Sequence, residues 1–251
     1  MVVEADGQCS NRAFYRTRRR FDCTGAIFGD ILYIGCEDHF LHSVDTTADR
    51  GENRWNTISG DGRTGCAINS PIVITKGPEL LVVSQDDRLH AFRIDGQESW
   101  SIPLPGQCIG SPTVDSHGTI ILGISQTPRN QTPRGVLLAI DGATHGVRWQ
   151  FVTDAPIEST PVIGNDGIMY VGDNSGNTYA IDPAGSCIWQ INLGVPVRSA
   201  GTMLASQLLA FGLDDGALVA IKCSSQGLGT SIWAKFQKSL EQSGSHTREF
   251  D

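Results

Sequence analysis

The tryptophans of this chain stand at positions 55, 100, 149, 189 and 233, spaced 45, 49, 40 and 44 residues apart. Each follows a short aliphatic run. A period of forty-odd residues with one large aromatic per unit is the sequence pattern of radial arrays of four-stranded sheets, because each sheet must present one bulky apolar group to the next.

The units align beyond tryptophan, in five columns. The first is a small, turn-prone start followed by apolar residues, as in Thr24-Gly25-Ala26-Ile27, Ser70-Pro71-Ile72-Val73, Ser111-Pro112-Thr113-Val114, Thr160-Pro161-Val162-Ile163 and Ser199-Ala200-Gly201-Thr202. The second is an aliphatic run at residues 31–34, 80–83, 120–122, 168–171 and 208–211. A polar turn comes next, at Glu37-Asp38, Asp86-Asp87, Asp173-Asn174-Ser175-Gly176 and Asp214-Asp215-Gly216. The fourth column reads aliphatic-x-small-aliphatic at residues 41–44, 89–92, 137–140, 178–181 and 218–221, with Ala91, Ala139, Ala180 and Ala220 at the small position. The tryptophan run is the fifth. Runs of four to six residues rich in Val, Ile, Leu and Tyr, bounded by Gly, Pro, Asp and Asn, read as strands and turns rather than helices. Strand-turn-strand-turn-strand-turn-strand in about 40 residues is one propeller blade. The small residues predict sites where neighbouring sheets pack closely and leave no room for a larger side chain. The reading is therefore an all-β propeller of about five four-stranded blades at residues 21–236, with a polar, basic arm at 1–20 and a polar tail at 237–251.

Residues 159–182, Ser-Thr-Pro-Val-Ile-Gly-Asn-Asp-Gly-Ile-Met-Tyr-Val-Gly-Asp-Asn-Ser-Gly-Asn-Thr-Tyr-Ala-Ile-Asp, followed by Trp189, closely resemble the PQQ-like propeller repeat. That repeat is shared by the quinoprotein alcohol dehydrogenases and by non-enzymatic members such as an outer-membrane assembly propeller lipoprotein. The resemblance covers roughly residues 21–236. It implies that the aromatic near each blade end docks on the adjacent blade, so the five tryptophans form a packing girdle. Members of the family usually close with seven or eight blades. Five units then imply a true five-bladed ring, a fragment of a longer ring, or an open arc completed by a second copy of the chain.

A net charge of −8 argues against nucleic acid as the main partner. No apolar run reaches membrane-spanning length, and residues 1–20 lack the uninterrupted apolar core of a signal peptide. The seven cysteines, at 9, 23, 36, 66, 108, 187 and 223, form no close pair or CxxC motif. They read as small buried apolar residues in a reducing compartment, which favours the cytoplasm. The basic cluster of Arg16, Arg18, Arg19 and Arg20 reads as a solvated arm.

Sites of chemistry are few. Cys36-Glu37-Asp38-His39 with nearby His42 gathers potential metal ligands, but the stretch occupies an ordinary turn column, and no metal is expected. His42 and His90 share a column with Leu138, Tyr179 and Val219, which reads as a blade-surface position. Cys108, at the start of the third unit, reads as near the channel and buried rather than reactive. No nucleophile elbow, P-loop or catalytic residue is assigned. Asp45, Asp141 and Asp182 recur with the repeat, which reads as turn capping. The resemblance to quinoproteins would bring pyrroloquinoline quinone with calcium, but the adjacent cysteine pair of those enzymes is missing, and no cofactor is expected.

The third unit departs from the pattern. Between Ile124 and Val136 it carries an insertion in which Gln-Thr-Pro-Arg occurs at 126–129 and again at 131–134. Two prolines favour an extended loop, with Arg129, Asn130 and Arg134 as candidate interaction residues. The functional expectation is a non-catalytic binding scaffold for a protein or small ligand. The alternative is part of a quinone-dependent dehydrogenase.

Overall fold

The computed structural model describes residues 15–47, 53–55, 61–129, 131–204, 207–230 and 233–235, together with the backbone of three short strands near the ends. Its regular elements are all strands. β1 (Val2–Val3) and β2 (Cys9–Ser10) form a small antiparallel pair. Blade one contains β3 (Ala26–Phe28), β4 (Ile31–Gly35) and β5 (Leu41–Asp45). Blade two has β6 (Val73–Ile74), β7 (Glu79–Ser84), β8 (Arg88–Arg93) and β9 (Glu98–Pro103). Blade three follows with β10 (Thr113–Val114), β11 (Thr119–Gln126), β12 (Arg134–Asp141) and β13 (Val147–Thr153), and blade four with β14 (Val162–Ile163), β15 (Met169–Gly172), β16 (Asn177–Ile181) and β17 (Cys187–Asn192). Blade five has β18 (Thr202–Leu204), β19 (Leu208–Gly212) and β20 (Leu218–Lys222). Within each blade, consecutive strands are antiparallel neighbours. The propeller read from the columns is present, and the first, second and fourth columns fall on or beside its strands.

The core lies between blades. Three apolar clusters span blades one to three, three to four and four to five. The short innermost strands are linked across blades at their starts, where Ile72 N–H donates to Thr24 O at 3.1 Å and Ser111 N–H to Thr160 Oγ1 at 2.9 Å.

The column residues acquire specific jobs. Ser70, Ser159 and Ser199 each donate a hydroxyl to, and accept an N–H from, the backbone of the second strand thirteen residues on, at Val83, Gly172 and Gly212, over 2.8–3.1 Å. In blades two and five the small start residue is thus a clamp that satisfies both polar groups of a backbone position, and in blade four the clamp is Ser159, one residue before the column's Thr160, which accepts from Ser111 instead. In the fourth column, Ala91, Ala139 and Ala180 lie directly opposite Trp100, Trp149 and Trp189, and the ladder slips by one residue immediately beyond each alanine. A bulge there twists the outer strand and re-aims its aromatic.

Three indoles point at the turn between the third and fourth strands of the next blade. Trp55 Nε1 donates to Ile94 O at 2.9 Å, and Trp149 Nε1 to Pro183 O at 3.0 Å. Trp100 stacks on His145 with ring centroids 4.2 Å apart. The residue that closes this turn is left-handed in all three receiving blades: Gly96 (φ 88°), His145 (φ 60°) and Gly185 (φ 88°). A Cβ on Gly185 would lie 2.7 Å from the Trp149 ring. Trp189 packs on the cluster that blade five contributes to.

Trp233 breaks the girdle. It is 1% exposed and pairs, as an isolated antiparallel bridge, with Val114 of the innermost strand β10. Ala234 O accepts Ile163 N–H at 2.8 Å, and Gly229 N–H donates to Ile163 O at 2.8 Å. The chain after blade five therefore returns along the inner edges of blades three and four, so Trp233 does not supply the fourth strand of blade five. β20 ends that sheet among the described residues, with Leu218 79% exposed. Blade one is also varied: β21 (Ser245–His246) lies parallel on the inner side of β3, and among the described residues the Trp55 side contributes one bridge, Val44 to Asn53.

The basic arm is partly built into the repeat. Glu37 N–H donates to Arg20 O, as Gln85 does to Ala67 O, Asn174 to Pro156 O and Asp214 to Pro196 O. Residues up to Arg20 thus occupy the place of an inter-blade connection, while Arg16, Arg18, Arg19 and Arg20 are themselves exposed.

The indole-to-turn contact predicts a specific coupling. Trp149→Ala costs about 3 kcal/mol, the low end for a large aromatic because this indole is half-buried. Gly185→Ala is destabilising in the wild type through both its φ and the clash with the ring. In the Trp149→Ala background it loses the clash and costs less, measured as non-additive urea midpoints in a double-mutant cycle. Ser159→Ala, which orphans the buried Gly172 N–H, costs about 1–3 kcal/mol in the same assay.

Candidate interaction site

Antiparallel blades put two kinds of turn at opposite ends of the propeller. Turns between second and third strands share one face with the connections between blades. The insertion in blade three stands on that face. β11 and β12 are eight residues each, against four to six for their counterparts, so the insertion begins as extra rungs of hairpin ending at the pair Gln126 and Arg134.

These rungs are tied down on both sides. Ser125 and Gln107 exchange two backbone hydrogen bonds of 2.7 and 3.0 Å, Gln126 Nε2 donates to Pro105 O at 2.9 Å, and Ser125 Oγ donates to Ile157 O at 3.2 Å. Gly106 permits this approach, since a Cβ there would sit 2.4 Å from Ser125 O. Arg134 Nε donates to Gln126 Oε1 at 2.8 Å, which sets its guanidinium on the exposed side of the last rung. Arg129 is exposed on the loop above. Asn130, the third predicted residue, lies outside the described residues.

A cavity of about 200 Å³ adjoins this platform, lined by Asn69, Gln85, Gln107, Cys108 and Ile109 among others. Asn69 Oδ1 is buried and has no hydrogen-bond partner, and Ile109 is 52% exposed at the rim. An unsatisfied amide oxygen beside an exposed aliphatic side chain offers a polar and an apolar foothold together. Burial pushes the Cys108 thiol up to about 12, away from the thiolate form. On the far side of the loop, Arg198 bridges Glu158 at 3.2 Å and Asp214 at 3.0 Å, joining the connection after blade three to blade five. Asn69, Gln107 and Ile109 escaped the sequence reading because they sit on inter-blade connections, where no periodicity marks them. The one signal was Asn69 immediately before the clamp serine Ser70.

The histidine column is not a surface position. His42 and His90 are 7% and 4% exposed. Each ring reaches the turn carboxylate four residues earlier, His42 Nε2 to Asp38 at 3.1 Å and His90 Nε2 to Asp86 at 3.2 Å. In blade four the Tyr179 hydroxyl donates to Asp173 Oδ2, six residues earlier, at 2.8 Å. In blades one, two and four the column therefore holds a ring that pins the turn. Burial raises Asp86, but hydrogen bonds from Ser84 and His90 outweigh it and leave the carboxyl below its usual range. The six described cysteines are all free thiols.

Comparison with known proteins fits this geometry. The PQQ-like repeat family described as outer membrane protein assembly factor BamB matches residues 41–197 and, in a second overlapping match, 127–239. Among solved structures, BBS1N in complex with ARL6DN is similar, with a TM-score of 0.57 at 14% identity over 81% of this chain. The chain spans 65% of that protein's length. In all, 927 solved chains match, so likeness of this kind speaks to the fold and not to a function. No curated protein matches. No described helix is long and apolar enough to cross a membrane.

The recurrent aspartates serve the turns. Asp182 Oδ1 accepts N–H groups from Ala184 and Ser186, Asp45 Oδ1 accepts from Thr47, and Asp45 Oδ2 is paired with Arg54. Asp141 accepts N–H groups from Thr144 and Ala143, and Arg148 lies 2.6 Å away. The Thr144 N–H, then Arg148, hold its carboxyl well below the usual carboxylate range. A depressed folded-state pKa stabilises at pH values above the unfolded pKa of about 4 and is lost as pH falls below it. Asp141→Asn is accordingly expected to flatten the fall in thermal midpoint between about pH 4 and pH 2. An unchanged slope removes Asp141 from the acid response.

Proposed function

Since the chain belongs to the PQQ-like repeat family described as outer membrane protein assembly factor BamB, we propose that it is a binding scaffold that engages a protein partner through the face carrying the blade-three hairpin. One observation carries the reading. The insertion is a pre-organised platform, held by Gln107, Pro105 and Ile157, so a partner need not bear the ordering cost of a loose loop. Arg129 and Arg134 supply exposed guanidinium groups, which match carboxylates. The structural neighbour BBS1N was itself caught in complex with a second protein, ARL6DN.

The quinone reading finds less support. The recurrent carboxylates are spent on turn N–H groups and arginines. The inner edges of blades three and four, where a central cofactor would lie, are lined by the return segment, with Trp233 1% and Lys235 2% exposed and the Lys235 ammonium on Thr202 Oγ1 at 3.1 Å. The residues present do not fit pyrroloquinoline quinone at that position.

Two measurements test the proposal. Replacing residues 127–133 by a two-residue Asn-Gly turn is expected to keep the thermal midpoint within about 3 °C and to abolish the partner cross-links seen with the wild type in cells. Identical cross-links from both proteins would sink the proposal. Titration with pyrroloquinoline quinone and calcium is expected to give no binding heat, and binding with dye-linked alcohol oxidation would install the enzyme reading in its place.

A further inference from the structure

The pinned turns of blades one and two are built alike, and one difference sets them apart. Cys36, Asp38, His39 and His42 correspond by position to Ser84, Asp86, Asp87 and His90. His39 and Asp87 are both left-handed, at φ 74° and 57°, and both histidines reach the carboxylate four residues earlier. In blade two the first position is a hydroxyl, and Ser84 Oγ donates to Asp86 Oδ1 at 2.6 Å. In blade one it is a thiol. Cys36 Sγ, an Asp38 oxygen and a His42 nitrogen all lie within 4.8 Å of one another.

From this geometry we infer a transition-metal site at Cys36, Asp38 and His42, of the class that takes zinc, with a fourth position completed by water from the adjoining groove. Sulfur, imidazole and carboxylate together suit zinc and its spectroscopic substitute cobalt, and not calcium or magnesium, which take oxygen ligands. Nitrogen and oxygen ligands about 2.0–2.2 Å from a tetrahedral ion stand roughly 3.4 Å apart. The His42 Nε2 to Asp38 distance of 3.1 Å is close to that, so an ion entering between them moves each by only a few tenths of an ångström.

The surroundings have the form of a second shell. Tyr15 OH lies 2.6 Å from His42 Nδ1, which fixes the ring and leaves Nε2 to the ion. Thr17 Oγ1 is 3.4 Å from Cys36 Sγ and turns its hydroxyl from Arg19 O, 2.7 Å away, to donate to a thiolate. The Cys36 thiol now donates to Arg20 O at 3.2 Å. On metal binding its proton leaves to solvent, and thiolate plus carboxylate balance a divalent ion. Asp38 and His42 line an open groove of about 610 Å³ together with Tyr15, Arg16, Arg18, Asn53, Trp55 and Asp61, which supplies the water. Arg20, beside it, is engaged by Glu37 at 2.7 Å.

Blade two provides the control substitution. Cobalt(II) is titrated into the reduced, metal-free full-length protein, and the thiolate-to-cobalt charge-transfer absorption in the near ultraviolet is recorded with the visible d–d bands. The expected result is a charge-transfer band that saturates at one equivalent and is displaced by zinc. Cys36→Ser, which installs the residue blade two already uses, is expected to keep the thermal midpoint and lose the band. No band in the wild type overturns the site without reference to any variant. A band that persists in Cys36→Ser assigns the metal to another cysteine and overturns it equally.

Discussion

The contact between an outer-strand indole and the closing turn of the next blade organises this molecule. A four-stranded sheet alone cannot bury both of its faces, and each blade here gains its cover from its neighbours. The indole settles the angle between them. At Trp100 and Trp149 three features meet: alanine opposite the tryptophan leaves room for the ring to lie over its own strand, the bulge beyond that alanine swings the outer strand, and a left-handed residue closes the turn that receives the indole. Each falls on a different strand or turn, so a contact of this kind needs all of them to recur with one period.

Side-chain clamps do the remaining work of making short strands behave alike. The innermost strands have only two or three residues, too few to fix a register by pairing alone. Serine hydroxyls at their starts and rings over the turn carboxylates hold the second and third strands in place independently of ladder length. In blade three neither the serine clamp nor the ring is found among the described residues, and its longer hairpin, β11 and β12, is secured instead against the flanking connections at Gln107 and Ile157. The insertion therefore becomes a rigid feature of one face, where loops usually carry function.

Residues whose role is fixed by their own repeat were legible in the sequence. Asp141 and Asp182 were readable as turn caps because a cap is a local arrangement, complete within a few residues. The alanine column was readable as close packing for the same reason, although its partner, the tryptophan directly across the ladder, was not. His42 and His90 were misread as surface positions because a buried imidazole and an exposed one occupy a strand identically. What separates them is a carboxylate four residues back on the preceding turn, and that pair appears only once the hairpin folds. The platform at Asn69 and Gln107 was illegible for a different reason. Connections obey no period, and their geometry is set by what the flanking blades leave open.

Trp233 shows where a repeat pattern stops being sufficient. The segment Ser231-Ile232-Trp233-Ala234 has the composition of an outer strand, like Cys187-Ile188-Trp189-Gln190, and Ala220 stands ready opposite it. Pattern alone assigns it to β20. Three outer-strand indoles are received by a turn of the following blade, and among the described residues no such turn follows blade five. On β20 the ring would gain at most the partial burial of Trp149. Against Val114 it is 1% exposed. With 150–250 Å² of mostly apolar surface on an indole, the difference between half and full burial is about 2–3 kcal/mol at 25 cal/mol/Å². That margin, added to the backbone bonds made with Val114 and Ile163, offsets the unpaired edge left on β20 and the exposure of Leu218. The same tryptophan period thus encodes two placements. Trp233 takes the inner one, where it is buried against Val114.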